Sequence, residues 1–504
     1  MSLTTTISPQ SGRIDRRWWA LVLLAMADFV VILDASIVNI ALPSIGRGLH
    51  ISLANLSWVV NAYVLTFGGF LLLGGRIADL VGRRLVFMVG LGVFSAASLL
   101  GGLAQSELWL FAARAVQGLG AALLAPAALS LVTSIFSEGA ERNRALSVWG
   151  AVAGSGAAAG VLLGGVLTSG LGWRSVLFVN VPIGVAAILL TPRLIAESRG
   201  DRARRGFDLP GAATVTAGLS ALVYGLVRAS TVGWGSPQTI GVLAAAAALL
   251  VSFVVIETRA EAPLVPFAFF RNLNVSAANA TMLATGAAII GLFYFLSLYM
   301  QKVLGYSAIK AGTSQLPLAA GIILAAGMAA PLVARLGLRT VLIAGLVLFA
   351  GGLAWFAQLP VHGGYLSHLL GPSLLIALGL GFAFVPITIL AETGVHDREY
   401  GLASGLLNTS QQVGGALGLA VLTTIVTTRT NHLIASHHTF TQALTLGFHL
   451  GFLGAAGFAL LGIIAAASIG TARGRRSQVP RPVRGPEPQT QETLDQQAGL
   501  ATPD

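Results

Sequence analysis

Asp28, Asp34 and Arg114 are the ionisable residues that lie well inside the long apolar stretches of this 504-residue chain. A charge at such a depth costs about 3 kcal/mol on insertion scales, so it must pair, face an aqueous cavity, or bind and release a proton. A carboxylate suits the last role, and Asp34 is the expected principal proton-binding group. Asp28 precedes it by six residues, about 9 Å along a helix and roughly 120° around it, so the two share no face and Asp28 is an accessory. Arg114 supplies a permanent cation. Its attraction for a carboxylate against the penalty of burial would set when a proton is bound. The competing reading is a permanent Asp34–Arg114 ion pair that only locks helices together.

The elements that must position these groups are membrane spans. The chain is 55% apolar and 10% charged, with mean hydropathy +0.81. Soluble domains carry about 25% charged residues, and a water-soluble fold is excluded. Apolar windows of roughly 20 residues recur at 18–41, 53–74, 85–105, 107–132, 146–169, 176–196, 209–229, 238–257, 275–300, 312–334, 339–358, 367–391, 402–427 and 446–470. These predict an all-α polytopic membrane protein with fourteen transmembrane helices. The first window is too long for a signal peptide and holds both aspartates, so it reads as an uncleaved span.

The net charge of +11 follows this topology rather than marking a nucleic-acid surface. With both termini cytoplasmic, 23 of the 30 basic residues fall on inner segments and 6 on outer ones, Arg114 lying within a span. That asymmetry fixes the orientation. Most of these arginines read as anchors and contacts for membrane lipid. Only Lys302 and Lys310 are lysines, which resembles the codon bias of a GC-rich bacterial genome, and a bacterial plasma membrane is the expected location. There is no cysteine for a disulfide or thiolate metal site. The tail 471–504, rich in Pro, Gln, Arg and Glu, reads as disordered.

Between the second and third windows stands Gly75-Arg76-Ile77-Ala78-Asp79-Leu80-Val81-Gly82-Arg83-Arg84. It reads as a tight cytoplasmic loop in which Gly75 and Gly82 let the chain reverse, Asp79 faces the start of a neighbouring helix, and Arg76, Arg83 and Arg84 meet carboxylates, helix C-termini or lipid phosphates. This spacing resembles the loop signature of the major facilitator superfamily of transporters. A degraded echo, Arg335-Leu336-Gly337-Leu338-Arg339, follows the tenth window rather than the eighth. Two helices, 209–257, are therefore inserted between two six-helix halves, which would be parallel repeats with the substrate site at their midplane interface. The resulting segments are a cytoplasmic tail 1–17, a bundle 18–196, a basic linker with two extra helices 197–274, a bundle 275–470 and the tail 471–504.

This plan resembles the fourteen-helix drug:proton antiporter branch. Leu33-Asp34-Ala35-Ser36-Ile37-Val38-Asn39-Ile40-Ala41-Leu42-Pro43, Gly172-Trp173-Arg174 with Asn180-Val181-Pro182-Ile183-Gly184, and Gly401 to Gly405 with Asn408 and Gln411 to Gly415 carry the resemblance. Arg114-Ala115-Val116-Gln117-Gly118 is similar to its fourth-helix motif; Arg114, Gln117, Gly118, Ala121 and Ala125 share one helix face. Gly156, Gly160 and Gly164, extended by Gly165, form a strip suited to close packing by another helix. The strip resembles an antiporter motif that carries proline where this chain has Val161; generic small-residue packing is the alternative. The resemblance implies a proton-coupled exporter of hydrophobic or monocationic compounds, contacted by Asp34, Asn39, Gln117, Asn408 and Gln412, working as a monomer on the proton gradient with no other cofactor. A carrier of one specific metabolite on the same fold is the alternative. An ATP-driven pump lacks its phosphate loop, since neither lysine follows a glycine. A membrane metalloprotease lacks its pattern, since no His precedes Glu. The histidines 432, 437 and 438 read as a solvated loop rather than a metal site.

Overall fold

The computed structural model describes residues 16–136, 139–198, 208–261, 263–395 and 399–468; the two expected tails, apart from residues 16 and 17, and most of the basic linker lie outside them. Fourteen long helices result: α1 Arg16–Gly48, α2 Leu53–Val81, α3 Arg83–Gly102, α4 Glu107–Ile135, α5 Ala140–Gly170, α6 Ser175–Leu194, α7 Leu209–Val232, α8 Pro237–Arg259, α9 Leu273–Val303, α10 Ala308–Leu336, α11 Leu338–Phe356, α12 Tyr365–Glu392, α13 Tyr400–Ala435 and α14 Phe440–Ala467. Thirteen are long and apolar enough to cross a membrane, and within α5 the stretch Ser155–Gly170 is a shorter apolar helix. Long apolar sequences satisfy their backbone internally as helices, because lipid offers no hydrogen-bonding partner. Several starts are capped by side chains, among them Ser106 for α4, Ser307 for α10 and a Thr439/Gln442 capping box for α14.

Helices α1–α6 pack chiefly on one another, as do α9–α14, and adding eight to each helix number turns one set of pairings into the other: α1/α5 into α9/α13, α2/α4 into α10/α12, α3/α6 into α11/α14. The contacts between the sets obey the same rule, α5/α10 corresponding to α13/α2. The echo in the sequence is an echo in structure. Gly82 and Gly337 both turn the chain at positive φ, 139° and 84°. Arg84 then donates to the Ile195 carbonyl just beyond α6, and Arg339 to the Ala467 carbonyl at the end of α14.

The reversal is tighter than the sequence suggests. Gly75 to Val81 are the last turns of α2 and only Gly82 turns the chain. Gly75 is thus corrected from a turn glycine to a helical one, its bare face opposite Pro126.

Three hydrogen bonds joining the halves lie at the ends opposite this turn. Ser297 Oγ donates to the Asn39 carbonyl at 2.7 Å, Gln301 Nε2 to the Ile40 carbonyl at 2.9 Å, and the Ile309 N–H to Ser169 Oγ at 3.1 Å. Helix α7 packs on α2 and α13 together: Gly69 faces Thr216, Trp58 packs on Tyr224 at 6.2 Å, and Thr424 Oγ1 donates to the Leu226 carbonyl at 3.0 Å.

Candidate functional site

Asp34 is fully buried midway along α1, and Arg114 of α4 is 2% exposed. Arg114 Nη1 donates to Asp34 Oδ2 at 2.6 Å. Gln117 Nε2 and Asn180 Nδ2 each donate to Asp34 Oδ1 at 2.8 Å. The guanidinium also donates through Nε to the Val59 carbonyl at 3.0 Å, through Nη1 to Gln117 Oε1 at 2.6 Å, and lies 4.5 Å from the centre of the Tyr63 ring. Ser98 Oγ completes the cluster, accepting from Asn180 at 3.0 Å and Gln117 at 3.3 Å while donating to the Leu177 carbonyl at 2.8 Å. The carboxylate therefore accepts three N–H bonds, one charge-assisted. Five helices of the first half, α1, α2, α3, α4 and α6, meet through one acid.

That density has an energetic reason and a chemical consequence. An ion pair out of water is tolerated only when its remaining lone pairs and protons are hydrogen-bonded, which Gln117, Asn180, Val59 and Ser98 achieve. Protonation of Asp34 would put an O–H among the three N–H donors that now face the carboxylate, with Gln117 Oε1, Ser98 Oγ and the unpartnered Asn180 Oδ1 as the acceptors of the cluster. The cluster would then have to re-pair, by turning the Asn180 and Gln117 amides or by a shift of α1 against α4 and α6.

The remaining expected residues fall in different places. Gln117 is 1% exposed, and its amide is engaged by Asp34, Arg114 and Ser98. Asp28 is half-buried on α1, and with Asp34 and Arg114 it acts electrostatically on Tyr63, whose hydroxyl is buried without a partner. Asn39 sits at the α1/α9 seam, its amide nitrogen donating to Ala35 while Oδ1 stays unpartnered. Asn408, exposed, and Gln412, packed on Gly68, lie on the stripe of α13 that faces α2. An apolar pocket at the far ends of α2, α9, α13 and α14, lined by residues including Leu53, Phe295, Asn431 and Phe440, contains none of the expected substrate residues.

The glycine strip has a definite partner. Gly156, Gly160 and Gly164 lie against Phe29, Leu33 and Ile37 of α1, where an added Cβ would stand 3.2 Å, 2.9 Å and 3.0 Å from their carbonyl oxygens. It clasps the helix that carries Asp34. Gly165 turns instead to Ala308 and Ile309 of α10, and the Val161 carbonyl lies against Gly312, so this side of α5 belongs to the junction between halves.

At the Gly82 turn, Asp79 pairs with Arg83 on its own side, Oδ1 to Nη2 at 2.8 Å, rather than facing a helix start. The start of α3 is held by Glu197, which accepts from Arg84 N at 3.0 Å and Leu85 N at 3.2 Å, while Arg83 N donates to the Ser198 carbonyl at 2.9 Å. A carboxylate there complements the positive end of the helix. Arg76 is half-buried near the end of α2. His432 lies in the last turn of α13 rather than on the loop with His437 and His438, and among the described residues no three His, Cys, Asp or Glu side chains converge on a metal position.

Ser98, Tyr63, Asn180 and Glu197 were not expected at these sites. Asn180 carried the one available signal, an amide placed where the sixth apolar window begins, while nothing in the third window distinguishes Ser98 from Ser95.

The Major Facilitator Superfamily profile matches residues 24–419. The chain is 42% identical over 452 residues to the puromycin resistance protein pur8 of Streptomyces alboniger, covering 89% of this chain and 90% of that one. It is 44% identical over 425 residues to the cephamycin export protein CmcT of Amycolatopsis lactamdurans, covering 83% and 87%. Its fold is similar to the nucleoside transporter NupG, with a TM-score of 0.64 at 13% identity over 89% and 99% of the two chains. A bacterial homologue of the lysosomal transporter Spinster, in an inward-facing and occupied conformation, gives 0.63 at 16% identity over 90% and 96%. Two parallel six-helix sets, a glycine turn repeated between them and a sequence match through most of the chain agree: this protein belongs to the Major Facilitator Superfamily.

Proposed function

We propose that this protein is a fourteen-helix drug:proton antiporter that exports hydrophobic or monocationic small molecules, antibiotics among them, from a bacterial cytoplasm, and that Asp34 carries the proton. The observation that carries this reading is the fully buried Asp34 carboxylate, which holds donors from three other side chains. Its two protonation states call for two hydrogen-bond arrangements of the cluster that joins five helices, an element through which a proton can bias the two states of alternating access. The export and resistance functions in the names of CmcT and pur8 support the direction of transport.

The Gly82 turn lies at the cytoplasmic end in this reading, as the arginine distribution demands. The bonds of Asn39, Ile40 and Ser169 to α9 and α10 close the opposite end, which favours substrate entry from the cytoplasm. The protein acts as a monomer, is not an enzyme, and uses the proton gradient without another cofactor. The names of both relatives carry one antibiotic or antibiotic class, puromycin and cephamycin, and that favours a second reading in which one cognate compound dominates.

Reconstitution into vesicles with a pH gradient tests the proposal. Puromycin or a lipophilic monocationic dye should be taken up against its gradient only while the proton gradient stands. Accumulation that persists after the gradient is collapsed would reject proton coupling, and absence of movement across a panel of antibiotics, dyes and quaternary ammonium compounds would reject drug export.

A further inference from the structure

A second buried acid pair lies at the base of the inserted helices, distant in sequence from Asp34. Asp208 caps α7 and Glu257 stands in the last turn of α8; they are 6% and 3% exposed and within hydrogen-bond reach of each other. One oxygen of each is satisfied by backbone: the Gly211 N–H donates to Asp208 Oδ1 at 2.8 Å, and the Val265 N–H to Glu257 Oε2 at 3.2 Å. The other oxygens, Asp208 Oδ2 and Glu257 Oε1, are buried with no donor. Two ionised carboxylates cannot share such a place, since each presents only acceptors and their charges repel. One proton removes both problems by making an O–H···O hydrogen bond.

We propose that Asp208 and Glu257 form a proton-binding site separate from Asp34, in which one proton is held on Glu257 Oε1, donated to Asp208 Oδ2, and ties α8 and the segment after it to the start of α7. The helix dipoles decide which acid keeps the proton. Asp208 is at the positive end of α7, which favours its charge, and Glu257 is at the negative end of α8, which does not. The neighbouring charges are Arg259 and Glu261 beyond Glu257, and Arg76 of α2, on the helix face that also carries Gly69 and Leu73. Because no third His, Cys, Asp or Glu joins the pair among the described residues, a proton suits it better than a metal ion. Leu73 and Ile77 of α2 pack against Ala212, Leu264 and Val265 beside it, so the tie reaches the helix that ends at Gly82.

The tie is intact while the proton is bound and is lost when rising pH removes it. Stability should therefore fall towards alkaline pH. Infrared difference spectra across pH on the purified full-length protein read the site directly, through the carbonyl stretch of a protonated carboxylic acid. In an Asp28→Asn/Asp34→Asn background that band should persist, and adding either Glu257→Gln or Asp208→Asn should remove it. Thermal unfolding gives the second readout. Glu257→Gln places an amide N–H where the proton was, so its melting temperature should no longer fall with rising pH as the wild type's does. A band unchanged by both substitutions, the same pH dependence in wild type and Glu257→Gln, or failure of Glu257→Gln to fold would each overturn the proposal. Neither readout depends on transport.

Discussion

At the scale of single residues, the pairing of Asp34 with Arg114 was legible because a lone charge in an apolar helix must find a partner. What surrounds the pair was not legible. Asn180, Ser98 and Tyr63 are ordinary residues in a sequence, and only folding reveals that they converge on one carboxylate. Gln117 shares the arginine's helix face, as its spacing indicates, and bonds both members of the ion pair. Asn180→Leu keeps the size of the side chain and removes one of the three donors. A hydrogen bond to a charged group contributes about 1.5–3 kcal/mol, so the variant should melt at a lower temperature and show altered proton coupling. If thermal unfolding and substrate-driven proton movement both match the wild type at equal expression, Asn180 plays no part in holding Asp34. Arg114→Lys should fail as well: a lysine keeps the charge but cannot reach Asp34, Gln117 and the Val59 carbonyl with one planar group.

At the scale of elements, all fourteen expected windows fall on helices, because apolar runs of that length have few alternatives in a bilayer. The turn after α2 was misjudged for a physical reason. Glycine and charged residues in sequence imitate a loop, yet α2 continues through Gly75 because its bare face meets α4. The acid that matters most for the start of α3, Glu197, comes from the linker 113 residues beyond Arg84. Asp79 is 47% exposed, and its ion pair with Arg83 is of the kind that contributes about 0–1 kcal/mol. Glu197→Ala should therefore slow transport more than Asp79→Asn, measured as initial uptake rates at matched expression, and the reverse order would show that Asp79 has the larger role. Gly160→Leu should separate α5 from α1; overpacking of this sort costs about 1–3 kcal/mol, and the yield of folded, detergent-stable protein should fall. A normal yield would mean that α1 can yield at Leu33.

At the scale of the whole molecule, the two-fold repeat was foreshadowed by one glycine and one arginine, Gly337 and Arg339, and is carried in the structure by the full set of helix pairings. The three hydrogen bonds from α1 and α5 to α9 and α10 and the packing of α7 on both α2 and α13 left no mark in the sequence, since they arise between helices far apart in the chain. The orientation implied by 23 inner against 6 outer basic residues predicts that a reporter fused after Ala467 is active only in its cytoplasmic form; periplasmic activity there would invert the topology. Substrate charge follows from the small number of buried acids facing the bundle. With Asp28 and Asp34 the acids well inside the spans of the two six-helix sets, monocations should be exported and bisquaternary dications should not, and efficient export of a divalent amidine would contradict this. The central claim, that Asp34 is the coupling proton site, is tested most directly by proton movement on substrate addition in vesicles containing wild type or Asp34→Asn at equal amounts. The account predicts substrate-induced proton flux in the wild type and none in Asp34→Asn, which retains binding of neutral compounds. Full flux in Asp34→Asn would contradict it, leaving Asp34 and Arg114 as a structural ion pair and Asp28 as the next candidate.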